Sequence, residues 1–210
     1  YFRFGGVVRD IPDFAMQKIK DLVFDRLPAK TDEMERFLNE NEILVARLKG
    51  IHVLNAEDAI KYSVTGPVLR AAGVPYDLRR ADPYSIYDRF DFDVAVRQNG
   101  DMMDNYLIRF DEIRQSLRIL EQALKQIPQG PINSQKPQYQ VRVPAGEAYG
   151  RIESPKGELA FYVVSNGKPN PYRYHVRPAS FVNLTAVESM CIGSKIADFV
   201  ALLAMLDIVM

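Results

Sequence analysis

The chain has 210 residues, of which 47% are hydrophobic and 26% are charged. This length and composition are typical of a globular protein with a substantial buried core, and they exclude a disordered tail. The 27 lysine and arginine residues equal the 27 acidic residues in number. The chain therefore lacks the broad positive charge of proteins that bind nucleic acid or anionic membranes, although local basic patches stay possible.

Cysteine and histidine are scarce. The single cysteine, Cys191, excludes an intrachain disulfide and a cysteine-rich zinc or iron–sulfur site, and it favours a reducing compartment. Two histidines, His52 and His175, are too few for a metal centre unless carboxylates supply most of the ligands. The longest apolar run, residues 199–206, is far shorter than the roughly 20 residues that span a bilayer, so we expect no transmembrane helix.

The chain begins with Tyr-Phe-Arg-Phe rather than Met and ends on Asp-Ile-Val-Met without a polar tail, so we interpret it as a piece of a longer chain. In its first part, apolar residues recur at helical spacing and predict helices at 13–27, 31–39, 42–49 and 55–60. Asp13 and Asn55 are placed to cap two of these helices, and Pro28 and Gly50 are placed to end two.

The middle of the chain, residues 65–96, is rich in glycine, proline, arginine and tyrosine, and we expect a packed irregular segment with short elements. Residues 90–96 alternate apolar and polar side chains and predict a short strand, with Phe90, Phe92 and Val94 on one face and Asp91 and Asp93 on the other.

A long helix at about 101–127 is the strongest structural prediction. Its apolar stripe is continuous, Asp101 lies at its start, and Pro128, Gly130 and Pro131 follow its end. We therefore treat residues 1–131 as a helical part, followed by a connection at 132–140.

The last third changes character. Residues 141–181 form a predicted β region, with strands at 141–143, 147–152, 158–164 and 172–176 and turns at 144–146, 155–157 and 166–167. The strand at 158–164 is apolar on both faces, so we expect it to be covered on both sides. Residues 182–210 form a C-terminal segment with Ser194 as the cap of a helix at 195–206, which is apolar nearly all round and should be buried. These patterns predict an α+β fold, mostly helical with a small antiparallel β region near the C-terminus.

Several residue clusters suggest chemistry, and each has a simpler explanation. Gly5-Gly6 and the stretch 66–73 contain paired glycines but match no phosphate-binding spacing, so tight turns are favoured. Arginines and aromatic residues alternate in a way that resembles a stacking surface for single-stranded nucleic acid. Because residues 74–96 hold five aspartates and three arginines, we favour ion pairs and a subunit contact for this set: Arg70, Arg79, Arg80 and Arg89 with Tyr76, Tyr84, Tyr87 and Phe90.

Single acids and nucleophiles are treated in the same way. Asp91 and Asp93 share a strand face and could split their pKa values for acid–base work, but an exposed face is the commoner explanation. We expect both histidines to be packed or hydrogen-bonded, and Cys191 to be a packed cysteine. Asp207 follows an apolar helix beside Ile-Val-Met and is the most interesting acid; the alternative is a helix-end carboxylate bonded to backbone or to an arginine from elsewhere.

Composition and spacing lead no further, but a resemblance does. Segments in the order of the chain carry it: YFRFGGV (1–7), TGPVLRAAGV (65–74), YDLRR (76–80), PYSIYD (83–88), FDV (92–94), GD (100–101), EIRQSL (112–117), PKGEL (155–159) and LDIVM (206–210). They resemble the D subunit of NADH:quinone oxidoreductase (respiratory complex I), the 49 kDa quinone-site subunit of mitochondria, in its C-terminal part.

This resemblance implies a fold like that of the [NiFe]-hydrogenase large subunit, with the nickel-binding cysteine pairs lost. Hydrogenases end on Asp-Pro-Cys-x-x-Cys, and the corresponding stretch here is residues 207–210, with Val209 in the place of the first nickel ligand. A soft metal needs thiolates, which valine does not provide. The resemblance therefore implies no metal site and no catalytic residue in this chain.

The resemblance also implies a place and a task. The chain would belong to the peripheral arm on the cytoplasmic side of the inner membrane (the matrix side in mitochondria). Electrons would pass from a [4Fe-4S] cluster of the small iron–sulfur subunit to a quinone, which is the substrate, and would drive proton translocation. By resemblance, Val209 and Met210, with Leu206 and Asp207 behind them, line the quinone cavity. Implied partners are the small iron–sulfur subunit, the homologue of the complex I C subunit and the membrane-arm quinone-site subunit; no nucleic acid is implied.

This sequence departs from the family pattern in three places. The family's quinone-ligating histidine and tyrosine precede Tyr1, the family continues a few residues beyond Met210, and it has a longer connection between Ile132 and Val143. The connection indicates either a natural deletion or missing residues, and the isolated piece is expected to be inactive. Two alternatives stay open: a non-redox scaffold of the peripheral arm, and a hydrogenase-related or ferredoxin-linked membrane complex. The electron donor, the quinone type and the coupling ion are not predicted.

Overall fold

A computed structural model of the chain describes residues 2–3, 5–134 and 142–209. About half of the chain is helical, and a three-stranded antiparallel sheet lies toward its end. The α+β class is thereby confirmed, although the chain is less helical than expected. The α-helices are α1 Asp13–Asp21, α2 Leu27–Asn39, α3 Glu42–Leu48, α4 Ala56–Lys61, α5 Pro67–Ala71, α6 Leu78–Ala81, α7 Met102–Gln126, α8 Ala179–Asn183, α9 Val187–Cys191 and α10 Ile196–Leu206.

The first helical segment does not end at Pro28. Residues Leu22–Arg26 adopt π-helical geometry and join α1 to α2, so the chain is helical without a gap from Asp13 to Asn39. Pro28 lies in the first turn of α2, where its missing N–H costs little. Asp13 is not the cap either, since the capping position is Pro12, whose carbonyl accepts from the first turn.

The helices at α3, α4 and α7 confirm their predictions. Side chains of Asn41, Asn55 and Asp101 accept hydrogen bonds from the first turns, which satisfies N–H groups that have no partner within the helix. Helix α7 runs for 25 residues and is the longest element of the described chain. Its buried side crosses α5 and the helical run 13–39.

Residues 90–96 do not form the predicted strand. The backbone N–H groups of Asp91 and Asp93 donate to the side-chain oxygens of Gln122 and Gln115 on α7, at 2.9 Å each. Side chains of α7 therefore accept the backbone hydrogen bonds that a neighbouring strand would otherwise accept. The prediction of faces is nevertheless correct, because Phe90 and Phe92 are buried and both aspartates point outward.

The β region is a sheet of three strands in the order β3 (Gly146–Ser154), β4 (Gly157–Ser165) and β5 (Arg173–Arg177). Strands β3 and β4 pair over their whole length, from Gly146 opposite Ser165 to Ser154 opposite Gly157, and their turn is Pro155-Lys156. Of the strand predicted at 141–143, residue 141 lies outside the described residues and residues 142–143 are not strand. A small ladder of β1 (Phe2–Arg3) and β2 (Gly6–Val7) was not predicted.

The two faces of strand β4 differ in burial. Ala160 is buried, whereas Phe161 on the opposite face is 45% exposed and its neighbours Leu159 and Val163 are half-buried. The expectation of cover on both sides is therefore wrong at Phe161 within the described residues.

The C-terminal helix is also buried on one side only. Leu202 and Leu206 lie in the core, but Ile196 is 88% exposed and Val200 is exposed beside it. The expectation of a fully buried segment is therefore wrong for the outer face, where no described residue covers the helix. Ser194 is not the cap: its hydroxyl lies 3.2 Å from His52 Nδ1 and bonds the Met190 carbonyl, and the capping position is Lys195.

The turn of the β3–β4 hairpin is fixed against the helical part by a close backbone approach. A Cβ atom added to Gly66, whose φ is 75°, would lie 2.5 Å from the Cα of Gly157. The Thr65 hydroxyl accepts from the N–H of Glu158, and Asn183 donates to the carbonyls of Thr65 and Lys156. Lys156 is therefore held at a defined place above α5.

Candidate functional site

Asp207, the first residue after α10, is held by two cations. Its carboxylate contacts Lys156 Nζ and accepts from Arg109 Nη1 at 3.2 Å. Arg109 Nη2 also donates to the Met205 carbonyl at 3.0 Å, at the end of α10 where carbonyls lack helical partners. We call Arg109, Lys156 and Asp207 the C-terminal clamp, because it ties α7, the hairpin turn and the end of α10 together.

The backbone of Asp207 is left-handed, with a φ of 54°. Few side chains tolerate this conformation, and aspartate and asparagine are among the better ones. The contact of a helix-end carboxylate with an arginine from elsewhere is confirmed, and the place of Asp207 at the quinone cavity stays a prediction. Lys156 was not predicted as a partner of Asp207. Burial and the charge of Arg109 lower the pKa of its ammonium.

The other residues predicted for the quinone cavity occupy different environments. Leu206 is buried in the core and anchors the segment from behind. Val209 is 63% exposed, and its N–H donates to the Ser180 hydroxyl at 3.3 Å. Met210 lies outside the described residues. The segment thus presents an apolar side chain to solvent beside the clamp, and its role as a cavity wall stays a prediction.

A cleft of about 610 Å³ opens between the helical run 13–39, α7 and the hairpin turn. All three clamp residues line it. Its other lining side chains include an apolar group and a charged group. The apolar group is Leu27, Tyr87, Ile113, Leu117, Leu120 and Pro155. The charged group is Arg70, Arg79, Glu112 and Glu153.

The charged group centres on Arg70, whose side chain is only 2% exposed. Its guanidinium bonds Glu112 Oε1 at 2.5 Å, Glu153 Oε1 at 2.8 Å and the Tyr76 carbonyl at 3.0 Å. Asp77 lies 3.8 Å from it and pairs with Arg79 at 2.6 Å. We call Arg70, Asp77, Arg79, Glu112 and Glu153 the Arg70 cluster.

The ion pairs expected for the arginine-rich stretch are confirmed by this cluster. The aromatic rings of the stretch are occupied within the fold: Tyr84 and Tyr87 meet edge to face at 5.0 Å, and the guanidinium of Arg80 lies 4.1 Å from the Phe92 ring centroid. Sequence reasoning did not identify Glu112 or Glu153 as partners. The sequence feature that could have indicated a buried ion pair is Arg70, a single arginine in an otherwise apolar stretch.

Acid is expected to weaken the fold through Asp77. Burial alone raises the pKa of this carboxyl, but the hydrogen bonds and charge of Arg79 and the charge of Arg70 lower it below its usual value. Its stabilising effect is therefore present above the unfolded pKa of about 3.9 and is lost as pH falls through the lower folded pKa. Urea unfolding between pH 2 and 5 should show stability falling with acid, and Asp77→Asn should lower stability at pH 5 and flatten that slope.

Glu153, in the same cluster, should change stability with pH in the opposite sense to Asp77. Burial raises the pKa of Glu153, and Arg70 offsets the increase only in part. Because its folded pKa lies above the unfolded value of about 4.3, its contribution declines as pH rises, which is the opposite sign to Asp77. An unchanged acid slope in Asp77→Asn would contradict the assignment to Asp77.

The other acids, histidines and the cysteine singled out in the sequence form no catalytic arrangement within the described residues. Asp91 and Asp93 are exposed and both pair with Arg118. His52 is buried, with Nδ1 2.8 Å from the Met190 carbonyl, as a packed histidine should be. His175 is exposed on strand β5, so the expectation of packing was wrong for it. Cys191 packs against the core, and burial raises the pKa of its thiol.

Comparison with known proteins gives the family. The family model described as "Respiratory-chain NADH dehydrogenase, 49 Kd subunit" matches residues 1–142 and 138–210. The chain belongs to this family. Among its relatives in the 49 kDa subunit family are an NADH-quinone oxidoreductase D subunit of a Roseiflexus species, 53% identical over 217 positions, and the D subunit of a Dehalococcoides mccartyi strain, 51% identical over 210. A D subunit of Herpetosiphon aurantiacus is 52% identical over 213 positions.

These alignments cover all of this 49 kDa-family chain but only 58%, 57% and 57% of the three relatives, of which it corresponds to the C-terminal part. The family match is made in two pieces that meet at residues 138–142, within the connection that the sequence predicts to be shorter than in the family.

Proposed function

We propose that the chain is the C-terminal part of the quinone-site subunit of an NADH:quinone oxidoreductase. In this proposal electrons pass from a [4Fe-4S] cluster of the small iron–sulfur subunit to quinone, and the reaction is coupled to proton translocation. Family membership and the names of the relatives support it. The observation that carries it is the exposure of Val209 beside the clamp, in the segment that the family resemblance assigns to the quinone cavity.

The chemistry of this surface suits a quinone. A quinone has an apolar ring and two carbonyl oxygens, so it needs an apolar wall with a few hydrogen-bond donors nearby. Val209 supplies apolar surface, and Lys156 and Arg109 are donors that line the adjacent cleft. The chain has one cysteine and cannot supply the thiolates that usually hold a cluster, so the [4Fe-4S] group belongs to the partner in this proposal. The chain itself positions the substrate and contributes electrostatics.

The proposal includes the finer points of the resemblance. The fold would be that of a [NiFe]-hydrogenase large subunit, of which this chain is one part of a larger domain. The protein would lie in the peripheral arm on the cytoplasmic or matrix face, against the small iron–sulfur subunit, the homologue of the complex I C subunit and the membrane-arm quinone-site subunit. Within the described residues, no helix is long and apolar enough to cross a membrane.

Enlarging Val209 tests the proposal in the full-length subunit within the assembled complex. We expect Val209→Phe to change the concentration of quinone-site inhibitor needed for half inhibition by about tenfold, equivalent to about 1.4 kcal/mol of binding free energy. A bulky ring would narrow the cavity. Reduction of ferricyanide by NADH, which does not use the quinone site, should keep its rate.

The matched control is Val53→Phe, because Val53 is also an exposed valine and lies outside the C-terminal segment that the resemblance assigns to the quinone cavity. It should leave inhibitor sensitivity unchanged. Equal sensitivity in both variants, with normal assembly, would favour a scaffold role. Nickel in the purified complex, or the absence of NADH-oxidising partners, would favour a hydrogenase-related or ferredoxin-linked complex.

A further inference from the structure

Asn183, the last residue of α8, is a buried side chain whose polar groups all bond the main chain. It is 2% exposed, and its Oδ1 accepts from the N–H of Thr65 at 3.0 Å. Its Nδ2 donates to the carbonyls of Thr65 and Lys156, at 3.2 Å each. A side-chain amide has two N–H donors and one carbonyl oxygen, so each of these groups has a partner. Without this amide, buried backbone groups would be left unpaired, which is costly.

Thr65 and Asn183 together hold the turn of the β3–β4 hairpin, and we call them the turn anchor. Asn183 bonds the carbonyl of Lys156, and the Thr65 hydroxyl accepts from the N–H of Glu158 at 3.1 Å. The main chain is thus bonded on both sides of Gly157. A Cβ atom added to Gly157 would lie 2.6 Å from Thr65 Oγ1, so the turn and the anchor are in close contact. The turn therefore has little freedom to move relative to α8.

The anchored turn carries one of the cations that contact Asp207. The Lys156 ammonium meets the Asp207 carboxylate directly after the end of α10. A lysine side chain is a flexible four-carbon stem, so the place of its ammonium depends on a fixed main chain. Ser180, three residues before Asn183 in α8, accepts from the N–H of Val209 at 3.3 Å. Helix α8 therefore contacts both the turn and the segment predicted for the quinone cavity.

We propose that Asn183 is a positioning residue of the quinone site, which fixes the main chain of Lys156 and thereby places its ammonium at Asp207. The inference rests on the proposed function and adds a residue to which the family resemblance gives no role. Asn183 does not line the cleft, so it acts through Lys156 rather than on quinone itself. A residue of this kind changes how well the substrate is held, so its loss should raise the KM and leave kcat unchanged.

Truncation of Asn183 in the full-length subunit tests the inference in the assembled complex. We expect Asn183→Ala to raise the KM for quinone by about threefold with kcat unchanged, because Lys156 would lose its fixed position but keep its charge. The matched control is Asn105→Ala. Asn105 is also buried and donates to a backbone carbonyl, that of Asp101 at 2.9 Å, and it has no hydrogen bond to the turn within the described residues. The control should leave the KM unchanged, and both variants should keep the rate of NADH–ferricyanide reduction.

Two further measurements separate positioning from a merely structural role. In a Lys156→Met background, which lacks the ammonium, Asn183→Ala should not raise the KM further. Hydrogen–deuterium exchange of the assembled complex needs no turnover, and residues 155–158 should exchange faster in Asn183→Ala but not in Asn105→Ala. Thr65→Val is a milder second variant, because valine has a similar shape and removes the acceptor for the N–H of Glu158. It should produce the same changes to a smaller extent.

An unchanged KM or unchanged exchange in Asn183→Ala would overturn the inference, and so would an equal rise of the KM in Asn105→Ala or a further rise in the Lys156→Met background. If Asn183→Ala does not assemble, Thr65→Val decides, and an unchanged KM in that variant overturns the inference. The Val209→Phe experiment separates this failure from that of the proposed function. Altered inhibitor sensitivity in Val209→Phe with an unchanged KM in Asn183→Ala would overturn the positioning role alone.

Discussion

Replacing Arg70 by methionine is expected to lower the free energy of unfolding by about 3–5 kcal/mol. The side chain is almost completely buried and neutralises Glu112 and Glu153, with Asp77 close by. Without the guanidinium, these carboxylates stay buried with too few cations, and a buried uncompensated charge is strongly destabilising. Urea unfolding of the purified full-length subunit measures the change, and the amount of assembled complex in membranes gives an independent readout.

Two comparisons separate charge from geometry. Arg70→Lys keeps the positive charge but lacks the planar fork that reaches Glu112 and Glu153 together, so we expect a smaller but clear loss of stability. Arg118→Met removes an exposed arginine that also contacts two carboxylates, and it should cost less than about 1 kcal/mol. Similar costs for Arg70→Met and Arg118→Met would mean that water reaches the Arg70 cluster.

The Arg70 cluster also links stability to the candidate site. Glu153 lies in β3, three residues before Lys156, and Glu112 lies on α7, three residues after Arg109. Arg70 therefore holds together the two elements that carry the cations of the clamp. A loss of Arg70 should disturb the position of Lys156 even where the protein still assembles.

Local sequence signals predicted the elements that depend on local interactions. Helix α7 was predictable because Asp101 caps its first turn, apolar residues keep its period, and Pro128 follows it. The β3–β4 hairpin was predictable because Pro155, Lys156 and Gly157 fit a tight turn between two predicted strands. In both cases the determining contacts are close in sequence, so the pattern contains them.

Several elements were predicted wrongly from the sequence pattern. Pro28 was predicted to end a helix, but the helix continues through a π-helical segment that directly precedes α2, and the proline lies in the first turn of α2. Residues 90–96 have the alternation of a strand, yet Gln115 and Gln122 take up their N–H groups. The outer face of α10 was expected to be buried because its residues are apolar, but no described residue covers it. The exposure of Ile196 and Val200 shows that an apolar helix face does not by itself identify what packs on it.

The candidate site was predictable only in part, for the same reason. The resemblance identified residues 206–210, and the apolar context drew attention to Asp207. Its partners come from 98 and 51 residues away in the sequence, on α7 and on the hairpin turn. No spacing rule connects Arg109, Lys156 and Asp207, so the clamp required the fold.

Removing the charge of Asp207 is expected to alter the quinone site. Asparagine tolerates the left-handed backbone, so Asp207→Asn should keep the turn while leaving Arg109 and Lys156 without their shared anion. Because the carboxylate is about half exposed, we expect an effect of about 1 kcal/mol, or about fivefold in the KM for quinone. Steady-state quinone reduction in the assembled complex measures this, with NADH–ferricyanide activity expected to stay constant.

The clamp should act as one unit, and a double-mutant cycle examines this. Lys156→Met should reproduce the effect of Asp207→Asn, Lys156→Arg should stay near the unaltered protein, and the double variant should be no worse than either single change. Asp198→Asn is the matched control, because Asp198 lies in α10, the helix that Asp207 follows, pairs with Arg47 at 3.0 Å and does not line the cleft. Fully additive effects of Asp207→Asn and Lys156→Met would mean that the two side chains act separately.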